Sequence, residues 1–502
     1  MTFPIGDRPV TIPDLVAVAR DNAPVALTKR PAVRRRIQAS REHLLAAIRR
    51  GDVIYGVNTG VGTNAVFVLP PDQAERFQEH NLRQLICGTG APLPSDIVRG
   101  AMLLRAVTLA LGCSAVRVEV IEQLVRLLNA GITPIVPRYG SVGASGDLIP
   151  SGYIARALLG QGGVLHRGRS LSASAALRRA GIAPLRLSYK EGLSLINGTT
   201  VMTAAAALVL DDARALLRAF LCACALSIEA LGASPEPFED WVQRAKGHRG
   251  QRAVALFVRR LLRGSRAVAS GKVRMQSGYS VRCLPQGIGP MYDTLAAARP
   301  VIETEANSAN DNPLIDPATG RIYTTGNFYG GHVARAADAV KLDLANLANW
   351  CHALMAVLVD DRMSGGLPPA LAPRPGRDTG FKGMQLSLAS LACAVRQMAS
   401  PSTVHPVSTE QHNQDMVSLG VHAALTACDS LDCTRDAVAI LLLAACHAVD
   451  LRGCVSRLGA GSARVHRAIR ALSPPVRADR PLDADIAAVA QSIPKEDLWP
   501  SF

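Results

Sequence analysis

Four long segments, Thr199–Leu231, His332–Val359, Lys382–Ala399 and Met416–Leu451, constrain this chain more than anything else in it. Each carries apolar residues at helical spacing over a length no β-strand reaches, so each reads as a helix. Such helices can bury their apolar faces only against one another. Short polar or Gly/Pro connections between several of them make consecutive helices antiparallel neighbours. The expectation is an all-α, mainly helical fold around an elongated central bundle. Upstream of about Thr200 the pattern differs, with short helices alternating with loops punctuated by glycine and proline. We therefore expect two regions, a mixed, loop-rich one over 1–200 and a long-helix bundle over 201–502.

Composition narrows the function classes. The most apolar stretch, Thr199–Gly232, is interrupted by Asp211, Asp212, Arg214 and Arg218, which reads as a core helix rather than a membrane span. The first residues, "MTFPIGDRPVTIPDL", lack the charged start and apolar core of a signal peptide. Eleven cysteines are scattered without a single C-x-x-C pair, which points to reduced thiols, a cytoplasmic location and no metal site. The net charge of +15 comes largely from small arginine groups, as in Lys29–Arg36, Arg244–Arg252 and Val258–Arg266. No aromatic residues interleave them and no nucleic-acid motif accompanies them, so they read as a solvated surface and not as a nucleic-acid site.

The chemistry concentrates in "PRYGSVGASGDLIPSG" at Pro137–Gly152. A phosphate loop would need Lys followed by Ser or Thr after its last glycine, but Asp147-Leu148 follows Gly146. A nucleophile elbow would need glycine two residues after Ser145, where Asp147 stands. "GVGTNA" at Gly60–Ala65 fits a dinucleotide fingerprint, yet Pro70-Pro71 follows where its helix should run. Taken alone, the stretch is a tight turn before a helix, with Pro150 near the helix start. The Ala144-Ser145-Gly146 triplet permits one further chemistry. The Gly146 amide is the least hindered backbone nucleophile and can close on the Ala144 carbonyl if the loop bends far enough. Loss of water from that ring and from Ser145 leaves a methylidene-imidazolone, an electrophile that no ordinary side chain supplies.

Gly140–Ala155 resembles the signature of the ammonia-lyases and aminomutases that act on aromatic amino acids and histidine and that use this methylidene-imidazolone group (MIO). The resemblance continues through "YGVNTGVG" (Tyr55–Gly62), "KEGLSLINGTT" (Lys190–Thr200) and "QSGYSVRCLPQ" (Gln276–Gln286). It extends to "SANDNPL" (Ser308–Leu314), "GNFYGG" (Gly326–Gly331) and "EQHNQDMVSLG" (Glu410–Gly420). Seven motifs in family order span roughly three-quarters of the chain, a far more specific signal than any one of them.

The resemblance implies a role for each matching residue. Ala144, Ser145 and Gly146 supply the electrophile, with no metal or external cofactor. Tyr55 is the catalytic tyrosine, acting as a phenolate on the β-carbon proton if a closed site lowers its pKa. Arg282 binds the substrate carboxylate, and Tyr279 assists at the amine and the prosthetic group. Asn197 and Gln276 bind near the electrophile and the carboxylate, while Asn312 and Phe328 line the same pocket. A homotetramer, with each site built from loops of three subunits, is implied as well.

Substrate choice is read from the pair aligned upstream of "GTG", here Gln84-Leu85. Leu85 argues against histidine. The Gln84 amide suits a phenol better than a bare ring, beside which it would be a buried polar group without a partner. In the late motif, with Asn413 beside it, Gln414 precedes Asp415 where histidine enzymes carry glutamate. Lys382 in "GFKG" resembles the phenylalanine type. Ser277-Gly278 departs from the usual Asp-Pro before Tyr279. The expectation is an ammonia-lyase forming the arylacrylate (coumarate or cinnamate) from an aromatic L-amino acid, with tyrosine ahead of phenylalanine. An aminomutase using the same site comes next, and a histidine ammonia-lyase third. Retention of Tyr55, Ser145, Asn197, Tyr279 and Arg282 together argues against a scaffold that has lost its chemistry.

Overall fold

The long apolar segments form the helices Thr200–Ala230, Gly331–Val359, Lys382–Met398 and Gly420–Leu451 of a computed structural model, which describes residues 2–268, 276–495 and 499–501. The described residues form two compact units. The first comprises Met1–Leu208, Arg299–Asp338 and Pro401–Leu425; the second comprises Val209–Ala298, Ala339–Ser400 and Thr426–Phe502. The fold is mainly α, as the periodicity predicts. All the strands among the described residues are short and belong to the first unit.

The first unit packs around the Ser95–Ala110 helix, which is buried on nearly every face. Its strands pair into four small sheets. One of them joins Thr89–Pro92 to Pro137–Tyr139 in antiparallel register and so leads the chain into the glycine-rich turn. Another, ordered Ile132–Pro134, Gly163–His166, Arg169–Ser172, is antiparallel throughout. Leu44, Ala47, Ile54, Val57, Ala115 and Ile315 form one buried cluster. Because Ile54 and Val57 flank Tyr55, this cluster anchors the tyrosine loop at its base.

In the second unit, small residues set the helix spacing. Ala345, Ala348, Ala392 and Val395 bring the Gly331–Val359 and Lys382–Met398 helices together. Glycine and proline make Met275–Pro290 read as a loop in the sequence; Met275 lies outside the described residues, and the rest is largely helical, with Tyr279–Arg282 followed by Leu284–Ala306. Gly287 and Gly289 are not turn residues there. A Cβ on Gly287 would lie 2.1 Å from the Trp350 ring, and one on Gly289 would lie 2.5 Å from the Gln251 nitrogen. Glycine is required for close packing rather than for bending.

By length and composition alone, Gly331–Val359 could cross a membrane. Two of its charged residues, Asp338 and Lys341, are instead buried in polar contacts. Buried Lys341 donates to the Ser400 carbonyl at 2.9 Å, and Asp338 accepts the Ser402 and Thr403 amides, each at 2.9 Å.

Candidate active site

The Ala144-Ser145-Gly146 turn lies in the first unit and is pinned through its backbone from two sides. On one side the Gly198 amide donates to the Ser145 carbonyl at 3.2 Å, and the Asp147 amide donates to the Gly198 carbonyl at 2.7 Å. On the other side the Leu419 amide donates to the Val142 carbonyl at 3.0 Å, while Ser418 Oγ donates to the Gly143 carbonyl at 3.2 Å. Within the turn, Ser141 Oγ donates to the Gly146 carbonyl at 3.3 Å and accepts the Gly143 amide at 3.1 Å. Three separate sequence motifs thus hold one turn.

Both inner glycines are obligatory. Gly146 has φ +75°, and a Cβ on it would lie 2.1 Å from the Gly198 carbonyl oxygen. Gly143 has φ +74°, and its Cβ would lie 2.3 Å from Ser418 Oγ. An L side chain is strained in this left-handed region and would also collide with its neighbours.

Asp147 ties the turn to the start of the Thr200–Ala230 helix. Its Oδ2 accepts the Val201 and Met202 amides at 2.7 and 3.0 Å, as an anion does at a helix N-terminus. Burial still dominates and pushes its carboxyl up to about 7, against those two donors and the Arg105 charge. Met202 fills the notch left by two more glycines: a Cβ on Gly330 or Gly420 would come within 2.1 or 2.3 Å of its sulfur. The "GNFYGG" and "MVSLG" motifs therefore close on the same helix end.

Asn197 sits beside the pinned turn, buried, with no hydrogen-bond partner at Oδ1 among the described residues. Its carbonyl is held by Arg105 Nη1 at 2.7 Å, and the same nitrogen reaches the Ser194 carbonyl at 3.2 Å. Desolvation brings the buried Arg105 guanidinium down to about 10, with Asp311 and Asp147 opposing. Asp311 Oδ2 in turn accepts from Lys190 Nζ at 2.6 Å, and both side chains are fully buried. Asn312 is buried next to it, with its Oδ1 accepting the Thr325 amide at 2.6 Å, so it braces the "SANDNPL" loop. Phe328 is half-buried in the following motif.

Tyr55 is part-buried, with its hydroxyl oxygen accepting the Gly62 amide at 2.9 Å. The Glu410 carboxylate packs on Gly62, where a Cβ would be only 1.6 Å from its Oε1. The sequence reading asks for a lowered phenol pKa, and here the balance runs the other way. Burial pushes the phenol up, the Gly62 amide pulls it down, and the Glu410 charge pushes it up again. Glu410 is held by Asn413, whose Nδ2 donates to Oε2 at 3.2 Å. Gln414 is occupied by the Thr409 hydroxyl, which donates to its Oε1 at 2.6 Å.

Leu85 packs against Gly152, the helical glycine just after the turn, where a Cβ would lie 3.0 Å from the leucine Cβ. Gln84, expected to be buried without a partner beside a bare ring, is instead exposed in the single chain and donates its Nε2 to buried Asn81 Oδ1 at 2.5 Å. Gln276, Tyr279, Arg282 and Lys382 belong to the second unit. Gln276, Tyr279 and Lys382 are exposed there, and the Arg282 guanidinium lies over the Tyr279 ring at 4.7 Å.

Asp147, Arg105, Met202, Ser418 and Glu410 escape the sequence reading as site residues. Asp147, Ser418 and Glu410 lie inside quoted motifs, so their positions were signalled. Arg105 looks like one polar interruption of an apolar helix.

Comparison with known proteins follows the same motifs. The family model described as aromatic amino acid lyase matches residues 10–471. Histidine ammonia-lyase of Geobacillus kaustophilus is 41% identical over 445 residues, covering 88% of each chain. Among solved structures, phenylalanine aminomutase of Pantoea agglomerans matches with a TM-score of 0.94 at 32% identity, covering 99% of each chain. Tyrosine aminomutase of Streptomyces globisporus matches equally, with a TM-score of 0.94 and 32% identity over 99% of this chain and 98% of the other.

Proposed function

This chain belongs to the aromatic amino acid lyase family and is a carbon–nitrogen lyase, and from that premise we propose that it eliminates ammonia from an aromatic L-amino acid, tyrosine first, to give the arylacrylate. The observation that carries the reading is the doubly pinned turn with Gly146 held where no Cβ fits. That cradle suits the backbone cyclisation of Ala144, Ser145 and Gly146 into the methylidene-imidazolone, since the ring needs an unhindered glycine nitrogen and a turn that cannot relax. Once formed, the group supplies an electrophile that turns a substrate amine into a leaving group.

The chain's own residues supply the rest. Tyr55 takes the β-carbon proton, and the Gly62 amide stabilises its phenolate. Arg282 holds the carboxylate through its planar fork of donors, with Tyr279 assisting at the amine. Asn197, whose buried Oδ1 has no partner among the described residues, binds near the electrophile together with Gln276. Lys382, Asn312, Phe328, Asn413 and Gln414 complete the substrate side. The protein acts as a homotetramer with sites shared between subunits, which suits the exposure of Gln276, Tyr279 and Lys382 on a single chain. All eleven cysteines are free thiols, in keeping with a reducing, cytoplasmic setting.

Tyrosine is favoured by the hydrogen bond at Gln84. With Nε2 engaged by Asn81, the amide presents its oxygen, which accepts from a phenolic hydroxyl but gains nothing from a bare ring. Leu85 and the neutral Gln414 disfavour histidine. Two alternatives have support of their own. The likeness to phenylalanine and tyrosine aminomutases favours re-addition of the amine at the β-carbon, and the identity to a histidine ammonia-lyase favours histidine.

Incubating the protein separately with L-tyrosine, L-phenylalanine and L-histidine, with absorbance and mass detection, tests the reading. Coumarate with free ammonia supports it. A β-amino acid of unchanged mass shifts it to the mutase, turnover of histidine alone refutes the substrate, and full activity of Ser145→Ala refutes the electrophile.

A further inference from the structure

A cavity of about 690 Å³ in the first unit is lined by Ala130, His166, Arg167, Arg169, Arg179 and Ala180. None of these residues belongs to the lyase motifs. The volume lies within the range of small-molecule sites, roughly 300–1,000 Å³. We propose that this cavity binds a small polyvalent oxyanion of the polyphosphate class, held by Arg167, Arg169 and Arg179.

Two independent observations converge here. The first is charge. No carboxylate lines the cavity, and among the described residues none of the three arginines has an acidic partner. Two helix C-termini reach it, at Ala130 after Val118–Asn129 and at Ala180 after Ala173–Arg179. Each contributes about half a negative charge, which three guanidinium groups outweigh. All three side chains are exposed at the rim of this site, and a multiply charged anion can bridge them through bidentate contacts.

The second observation is backbone strain. His166 pairs with Arg169, so the hairpin turns on Arg167 and Gly168, which have φ +51° and +74°. A two-residue turn of this kind favours asparagine or glycine at its first central position. Arginine in the left-handed region costs stability, and such outliers point to function. The residue that pays this cost is the one whose charge lines the cavity.

Calorimetric titration of the full-length protein with inorganic tripolyphosphate and with ATP tests the site. The expected result is one saturable site per chain for tripolyphosphate. Arg167→Gln/Arg169→Gln/Arg179→Gln should weaken it at least ~10-fold. The control Arg35→Gln/Arg49→Gln/Arg178→Gln, which removes equal charge from equally exposed positions that do not line the cavity, should weaken it less than ~3-fold. Equal affinity for ATP assigns recognition to the phosphate chain, and tighter ATP binding adds the nucleoside; either supports the site. Arg167→Gly separates ligand from fold: it relieves the strained turn, so the melting temperature should hold or rise while affinity falls. Absence of saturable binding, equal loss in both triple variants, or binding of single-stranded oligonucleotide without tripolyphosphate would overturn the proposal.

Discussion

Replacing Gly146 with alanine separates the architecture of the turn from its chemistry. The added Cβ meets the Gly198 carbonyl oxygen at 2.1 Å and its carbon at 2.4 Å, with φ at +75°. The left-handed conformation alone costs alanine about 1–2 kcal/mol. The contact cannot be relieved by a rotamer, because its partner is backbone. The two segments must part, which breaks the Asp147-to-Gly198 and Gly198-to-Ser145 hydrogen bonds in a buried site. Each broken bond strands a buried polar group at about 1–3 kcal/mol. The sum, about 3–8 kcal/mol, rivals the whole stability of an ordinary domain.

Ser145→Ala is the companion variant. Ser145 is half-buried and the bonds that pin the turn run through its backbone, so its stability should stay within about 0.5 kcal/mol of wild type. Urea unfolding reads the first effect, and intact mass reads the second. Mature wild-type protein should weigh two waters less than its encoded sequence, and both variants should keep the encoded mass and lack activity. A Gly146→Ala protein with a wild-type urea midpoint, or with the two-water loss, would refute the argument from the cradle.

Three further outcomes follow from buried and half-buried charge. Lys190→Met or Asp311→Asn alone should cost about 3–5 kcal/mol by leaving one buried charge unpaired, and the double variant should cost less than the sum in a denaturation cycle. The Asp147 carboxyl, raised to about 7 in the fold, binds its proton more tightly there than in the unfolded chain. Its contribution to stability is therefore present at low pH and lost as pH rises from about 4 through 7, and Asp147→Asn should remove that slope from urea midpoints measured across this window. Glu410→Gln removes a charge that raises the Tyr55 phenol, so the limb of kcat/KM that rises with pH should move to lower pH, and an unmoved limb would disconnect the two residues.

The motifs were legible because each is contiguous and carries its chemistry in side chains. Their assembly was not. Gly146 meets Gly198 through backbone atoms, and Gly143 meets Leu419 and Ser418 largely the same way, so no residue type advertises either pairing. Periodicity found four of the long helices but took Met275–Pro290 for a loop, although the Leu284–Ala306 helix starts within it, because Gly287, Gly289 and Pro290 read as punctuation. Two of those residues are surfaces on which Trp350 and Gln251 rest. A glycine that bends the chain and one that admits a neighbour look identical in sequence.

The same distinction governs what one chain can accomplish chemically. An electrophile formed from backbone needs rigidity, and the first unit provides it through three converging segments and glycines that tolerate no replacement. A phenolate base needs a positive field, and here the charge acting on Tyr55 is the Glu410 carboxylate. A positive charge must reach the phenol before it can ionise near neutral pH. In the proposed reaction the substrate brings one in its ammonium group. In the proposed role Tyr55 then ionises only when substrate is in place and stays protonated in the empty site.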